Sequence, residues 1–225
     1  MSRTAIAIDP ARDEEGWVGD TVRAIRALRV DEVVVVDGGS RDGTAAEARA
    51  AGARVLLAPR IAGKGEAVEA AIERTPAADR YLLLDADLGA TAALASALLE
   101  AVERGRADLA IAAFPRDAAH GGFRLVKRSA AAMIRMLSGF EAAEPLSGQR
   151  ALTREVLAAV RPLAGGFGLE TAMTIDAVRM GFRVVEVPLA MRHRSTGRTA
   201  RGFLHRGRQG RDLLRATAPR ALRVR

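Results

Sequence analysis

The sequence contains no cysteine, which removes a disulfide framework, a thiolate metal site and a cysteine nucleophile together. Aromatic residues make up only 4% of the chain, so the interleaved rings that stack single-stranded nucleic acid are missing. No stretch reaches the roughly 18 consecutive apolar residues that a membrane span needs. The opening MSRTAIAIDPARDEEGW lacks the apolar core of a secretory signal and turns acidic by Asp9 and Asp13. These absences set the expectation of a cytoplasmic protein, either free or peripheral at the inner face of the membrane, with no nucleic-acid partner.

What is present is the balance of an ordinary globular domain. The 225 residues are 49% hydrophobic and 28% charged, enough for one full-sized core. The formal net charge of +8 comes far more from arginine than from lysine. It accumulates toward the C-terminus, where nine arginines from Arg198 onward face one acid, Asp212. That segment reads as a basic helix and tail over 198–225, beyond a domain spanning 1–197. Anionic partners follow from the charge: nucleotide phosphates, lipid phosphates or an anionic membrane surface, with a solvated tail as the plainer reading.

Short β-branched runs alternate with alanine-rich segments of helical period, the pattern of βαβ units around a mostly parallel sheet. Strands are expected at Thr4 to Ile8, Glu32 to Val36, Arg54 to Leu57, Tyr81 to Leu84 and Asp108 to Ala112. Helices fit Val18 to Leu28, Thr44 to Ala51, Gly65 to Arg74, Ala92 to Arg104 and Phe123 to Leu137, the last after a His-Gly-Gly loop. Later the pattern loosens, with strands at Ser147 to Leu152 and Arg183 to Val187 and a helix at Leu169 to Met180. Mixed strand directions are expected there.

In open α/β sheets ligands collect beyond the carboxyl ends of the strands, so the residues following each strand carry the chemistry. Asp85 and Asp87 follow a wholly apolar strand, two apart, where extended backbone would send both carboxylates to one side. Two carboxylates aimed at one point repel unless a cation joins them, and Mg²⁺ or Mn²⁺ accepts such oxygens and bridges a substrate diphosphate. A solvated turn with helix caps is the plainer reading. Asp37 closes a run of four valines ahead of Gly-Gly-Ser-Arg-Asp-Gly-Thr, where turn chemistry explains Gly43 and Thr44 but not a carboxylate suited to a base or ribose. Gly63-Lys64-Gly65 opens a helix, so Lys64 and free amides can meet a phosphate or a carboxylate. It is not a Walker loop, because GxxxxGK[ST] is absent.

Four segments in order resemble the serial motifs of family 2 glycosyltransferases: Ile8-Asp9-Pro10-Ala11-Arg12-Asp13-Glu14-Glu15, Val-Val-Asp37-Gly-Gly-Ser-Arg-Asp-Gly-Thr, Gly63-Lys64-Gly65 and Leu84-Asp85-Ala86-Asp87. The similarity covers roughly residues 4 to 197. It is strongest to the dolichyl-phosphate mannosyltransferase-like branch, with some likeness to glucosyl-3-phosphoglycerate synthases. The resemblance implies a GT-A (Rossmann-like) α/β fold, with a mixed, mostly parallel central sheet flanked by helices. It places Pro10, Ala11, Arg12, Glu14 and Asp37 around the nucleotide of a UDP- or GDP-sugar donor. Asp85, Ala86 and Lys64 fall on the nucleotide side, and Asp87 on a Mg²⁺ or Mn²⁺ ion.

Two positions depart from the pattern. Arg12 stands where relatives carry an aromatic, leaving guanidinium stacking as the substitute. Gly89 stands where the mannosyltransferases carry Gln, and His193, in Pro188-Leu-Ala-Met-Arg192-His193-Arg194, is the candidate to supply the missing metal ligand. A solvent-facing histidine in a basic loop is the alternative. Ser147-Gly148-Gln149-Arg150 resembles the acceptor-side segment of the family. Glu170, at a helix start, is either an acceptor-orienting group or base, or an acid favoured by the helix dipole.

The implied activity is hexosyl transfer, with Arg192 and Arg194 offsetting charge on the departing nucleoside diphosphate. The leading acceptor is a polyprenyl phosphate or similar anion, and the alternative is a small soluble acceptor such as 3-phosphoglycerate. A sugar-phosphate nucleotidyltransferase fits less well, because Asp9 to Glu15 contains no glycine.

Overall fold

The structure is a computed structural model, and it describes residues 4–61, 63–114, 123–193 and 215–221. The elements alternate: β1 (Ala5–Ala11), α1 (Val18–Arg26), β2 (Glu32–Asp37), α2 (Thr44–Ala50), β3 (Arg54–Leu57), α3 (Lys64–Arg74) and β4 (Arg80–Leu83). A 3-10 segment (Gly89–Ala95) then leads into α4 (Ser96–Glu103), β5 (Leu109–Ala113), α5 (Phe123–Ser138), β6 (Arg150–Thr153) and α6 (Arg154–Val160). The chain continues through α7 (Leu169–Arg179) and β7 (Val184–Pro188), and a short helix at 215–221 closes the described part.

The seven strands form one sheet in the order β3-β2-β1-β4-β6-β5-β7. Strand β6 runs antiparallel to both β4 and β5, while the other pairs are parallel. The expected mixed, mostly parallel sheet is therefore present. Alternation along the strands sorts the core into two layers. Ala7, Val33, Val35, Leu82, Ala110 and Ala112 face α1 and α4, where Val22, Ile25, Leu98 and Val102 meet them. Ile6, Ile8, Val34, Val36, Leu83 and Ile111 face α3, α6 and α7, packing on Val68, Val156 and Met173. Both faces of the sheet are covered, which is why its strands read as continuous apolar runs.

The expected boundaries shift at two informative places. Helix α6 follows β6 without a break, capped by the Thr153 hydroxyl on the Val156 amide, in a stretch to which the sequence pattern assigns no element. Strand β4 stops at Leu83, so Asp85 lies beyond the ladder and Ala86 and Asp87 form a turn. The His-Gly-Gly loop lies outside the described residues, as do 198–214 and 222–225 of the basic C-terminal segment. No described helix is long and apolar enough to cross a membrane.

Candidate active site at the carboxyl edge of the sheet

The loops after β1 and β2 are laced to each other. The Asp13 amide donates to Ser40 Oγ (3.0 Å), the Glu14 amide to Thr44 Oγ1 (2.8 Å), and the Arg41 amide to Asp13 Oδ1 (2.8 Å). Asp37 is buried, and its Oδ1 accepts from the Gly39 amide (3.1 Å), the Ser40 amide (2.8 Å) and the Ser40 hydroxyl (2.6 Å). One carboxylate oxygen thus holds the turn, and Oδ2 remains for a ligand. Pro10 and Ala11 end β1 beside Val36 and Asp37. Arg12 is exposed, with its stem against Gly38, so its guanidinium is available to a flat ligand at this rim.

Lys64 opens α3 and reaches across to the next loop. Its ammonium pairs with Asp85 Oδ1 and lies 3.5 Å from Glu170 Oε1. Asp85 Oδ2 accepts from Gln149 Nε2 at 2.6 Å, and the Ser147 hydroxyl donates to Gln149 Oε1 at 3.3 Å. Burial pushes the Asp85 carboxyl up, but the charge and hydrogen bond of Lys64, with His193 and Gln149, outweigh it and hold the group below its ordinary value. Burial likewise works against the Lys64 ammonium, and Asp85 with Glu170 overcomes it, raising its pKa. Both members of the pair are therefore charged at neutral pH.

Two glycines make this approach possible. A side chain at Gly65 would run into the Ala164 carbonyl, so the start of α3 lies directly against the loop before α7 that delivers Glu170. A side chain at Gly148 would overlap Lys64 Nζ and crowd both oxygens of Asp85. Arg150 is placed differently from its neighbours. It is fully buried, with Nε donating to the Ser147 carbonyl (2.8 Å) and Nη1 to Thr174 Oγ1 (3.0 Å). Thr174 in turn donates to the Glu170 carbonyl at 2.9 Å. Burial lowers the Arg150 pKa to about 10, which still leaves it a cation. Its guanidinium ties the Ser147 loop to α7 from beneath.

Asp87 turns the other way. Its Oδ1 faces His193 Nδ1 at 3.0 Å, bringing together residues 106 positions apart. Burial lowers the His193 pKa, but the hydrogen bond to Asp87 and the charges of Asp85 and Asp87 raise it above its ordinary value. Asp85 and Asp87 take different partners, Lys64 with Gln149 for the first and His193 for the second, while the charges of both act on His193. Gly89 adopts a positive φ of +53° under the Trp17 ring, and its amide donates to Thr21 Oγ1 at 2.8 Å. Arg192 is exposed beside His193, while Arg194 lies outside the described residues.

The donor set fits a hard divalent cation. Among the described residues no cluster of three or more His, Cys, Asp or Glu is poised as a closed metal cage. Asp87 and His193 could offer such an ion one carboxylate oxygen and one imidazole nitrogen, leaving its remaining positions to diphosphate oxygens and water.

Asp9 is a buried group that no sequence motif marks as such. It is completely buried on β1, and neither carboxyl oxygen has a hydrogen-bond partner among the described residues. Burial, reinforced by the charges of Asp85, Asp87 and Glu14 and opposed by Lys64, raises its pKa well above its ordinary value. Its signal was available: it continues the Ala5-to-Ile8 apolar run at a core position.

This architecture and edge of polar groups are those of a nucleotide-sugar-dependent transferase fold. The chain belongs to glycosyl transferase family 2, whose model matches residues 7–157. It is 31% identical over 198 residues to glycosyltransferase AglJ of Haloferax volcanii, covering 84% of this chain and 63% of that one. It is 33% identical over 218 residues to the glucosyl-3-phosphoglycerate synthase of Mycolicibacterium smegmatis, covering 86% and 71%. The Mycobacterium tuberculosis glucosyl-3-phosphoglycerate synthase, solved with Mn²⁺, UDP and glucosyl-3-phosphoglycerate, superposes with a TM-score of 0.80 and 30% identity, over 96% of this chain and 81% of that chain. The same enzyme has been solved with Mg²⁺ and UDP. The chain spans just under two thirds of AglJ and of the synthase from Mycolicibacterium paratuberculosis, at 63% and 66%.

Proposed function

We propose that this protein transfers a hexosyl group from a UDP-sugar to a small phosphate-bearing hydroxy acid of the 3-phosphoglycerate type, with Mn²⁺ or Mg²⁺ bound at Asp87 and His193. The observation that carries the reading is the Asp87–His193 pair, 3.0 Å apart at the carboxyl edge of the sheet beside the charged Lys64–Asp85 pair. The synthases solved with UDP and either metal support the donor and the cation. They also favour the soluble acceptor over the polyprenyl phosphate that the dolichyl-phosphate branch suggests.

The residues divide the work by chemistry. Asp37 Oδ2 accepts from the base or ribose, and Arg12 covers the base face. Asp85, fixed by Lys64 and Gln149, presents a carboxylate that is already desolvated and oriented for sugar or ribose hydroxyls. The cation, when bound, offsets the negative charge that builds on the leaving diphosphate. Arg192 stands at the same rim to assist. Glu170, buried and near Lys64, orients the acceptor hydroxyl or receives its proton. The bond between the sugar and UDP breaks, and one forms to the acceptor oxygen.

The test is UDP release by the purified chain with UDP-glucose, GDP-mannose and ADP-glucose, each with 3-phosphoglycerate or polyprenyl phosphate. The expected result is turnover with a UDP-sugar and the soluble acceptor, faster with Mn²⁺ than with Mg²⁺ because the site offers a nitrogen donor. Turnover only with polyprenyl phosphate would replace the acceptor assignment. An Asp87→Asn variant as active as the wild type would remove the metal site.

A further inference from the structure

His193 arrives at Asp87 from the far end of the chain, on a segment that has already left the sheet. Strand β7 ends at Pro188, paired with Ala113, and the Leu189 amide still donates to the Ala113 carbonyl at 2.8 Å. From there to His193 no ladder holds the backbone, so the separation of the two candidate ligands must be set by something else. The contact that does so is made by Thr91, on the first turn of the 3-10 segment that follows Asp87. The Arg192 amide donates to Thr91 Oγ1 at 3.1 Å, and the Thr91 hydroxyl donates back to the Leu88 carbonyl at 2.7 Å. The Arg192 carbonyl, 3.3 Å away, is the alternative acceptor for that proton. One hydroxyl therefore joins the residue just after Asp87, Leu88, to the residue just before His193, Arg192. The imidazole itself is steadied from the side by Phe114, in an edge-to-face contact with ring centroids 5.5 Å apart at 75°.

We propose that Thr91 is a positioning residue for cation binding: its hydroxyl fixes the distance between the Asp87 and His193 side chains, so that both reach one divalent ion. The inference rests on the metal reading above. Hydrogen-bonding groups behind the ligands are known to control metal affinity as strongly as 10–100-fold. A site with two protein ligands among the described residues depends heavily on their spacing. Thr91 touches neither the ion nor the substrate, so its effect must pass through His193. That is a testable feature, since a residue acting only through another contributes nothing once the other is gone.

The experiment is a Mn²⁺ titration of the full chain with saturating UDP, following the free-ion signal by electron paramagnetic resonance. Asp87→Asn and His193→Ala test the metal reading itself: both should weaken Mn²⁺ binding, and wild-type affinity in both would overturn that reading. Given that loss, Thr91→Val should weaken Mn²⁺ binding about 10-fold. Thr91→Ser, which keeps the hydroxyl, should bind as the wild type does. Thr91→Val added to His193→Ala should cause no further loss. Wild-type affinity in Thr91→Val, or an undiminished loss on the His193→Ala background, would overturn the positioning role while leaving the metal site standing. Thermal melts accompany each variant, and Thr91→Ala replaces the valine variant if that one fails to fold.

Discussion

A carboxyl buried without a partner is a standing cost to the fold, and Asp9 is such a group. Its folded-state pKa lies well above its unfolded value, so between the two the folded chain binds a proton that the unfolded chain releases. The contribution of Asp9 to stability is then fully present below the unfolded pKa of about 3.9, and it is lost as pH rises through the folded one. Asp9→Val removes both the proton linkage and the unpaired oxygens at similar volume. The expected outcome is a gain of roughly 1–3 kcal/mol at pH 8, shrinking toward pH 4, measured by urea unfolding at both pH values. A gain that grew toward acid would contradict the raised pKa. Gly148 presents the opposite situation, a residue that costs nothing until it is enlarged. Gly148→Ala would press its methyl into Lys64 Nζ and Asp85, and the lysine end is flexible enough to move aside. The expected result is little change in melting temperature with a loss of turnover of about 100-fold, as a misplaced orienting group allows. These two residues also show what a sequence reveals. Asp85, Asp87, Lys64 and His193 were legible because each sits in a motif, but which carboxylate faces which partner was not.

At the scale of elements, the parallel half of the sheet was readable because each βαβ unit is local, with apolar runs punctuated by glycine-rich turns. Strand β6 is expected from Ser147, but its ladder begins at Arg150, after a stretch whose Gln149 side chain holds Asp85. Helix α6 follows the strand with no turn residue between them to mark its start. The basic C-terminal segment divides as well. The part at 215–221 is a helix whose Ala216 and Thr217 are buried, with the Thr217 hydroxyl donating to Met133 Sδ on α5. Arg220 forks onto Asp176 of α7, its Nε 2.8 Å and 2.9 Å from the two oxygens, and Arg179 donates to the Arg220 carbonyl at 2.8 Å. An arginine read as surface charge is therefore a clasp between helices. Asp176→Asn should destabilise the protein by roughly 1.5–3 kcal/mol, the worth of hydrogen bonds to a charged group, with Mn²⁺ and UDP binding unchanged. Calorimetric unfolding alongside nucleotide titration distinguishes that clasp from a role at the active site.

For the whole molecule, the net charge of +8 and pI near 11.2 say more about encounter than about fold. The sequence offered two recipients for that charge, a lipid surface and anionic substrates, and they respond differently to salt and to membranes. The sheet gathers Arg12, Arg41, Lys64 and Arg192 along one edge, where the donor and acceptor phosphates would enter. If the field of that edge draws in a small phosphorylated acid, the acceptor KM should climb as ionic strength rises from about 0.01 M to about 0.15 M, where the Debye length shortens from about 30 Å to about 8 Å. Turnover at saturating acceptor should stay nearly level, because desolvated pairs such as Lys64–Asp85 are screened far less than long-range attraction. Anionic vesicles added at low salt should leave the soluble reaction unaccelerated. Acceleration by vesicles, together with a salt-independent acceptor KM, would instead assign the excess charge to a membrane and return the lipid-borne acceptor to first place.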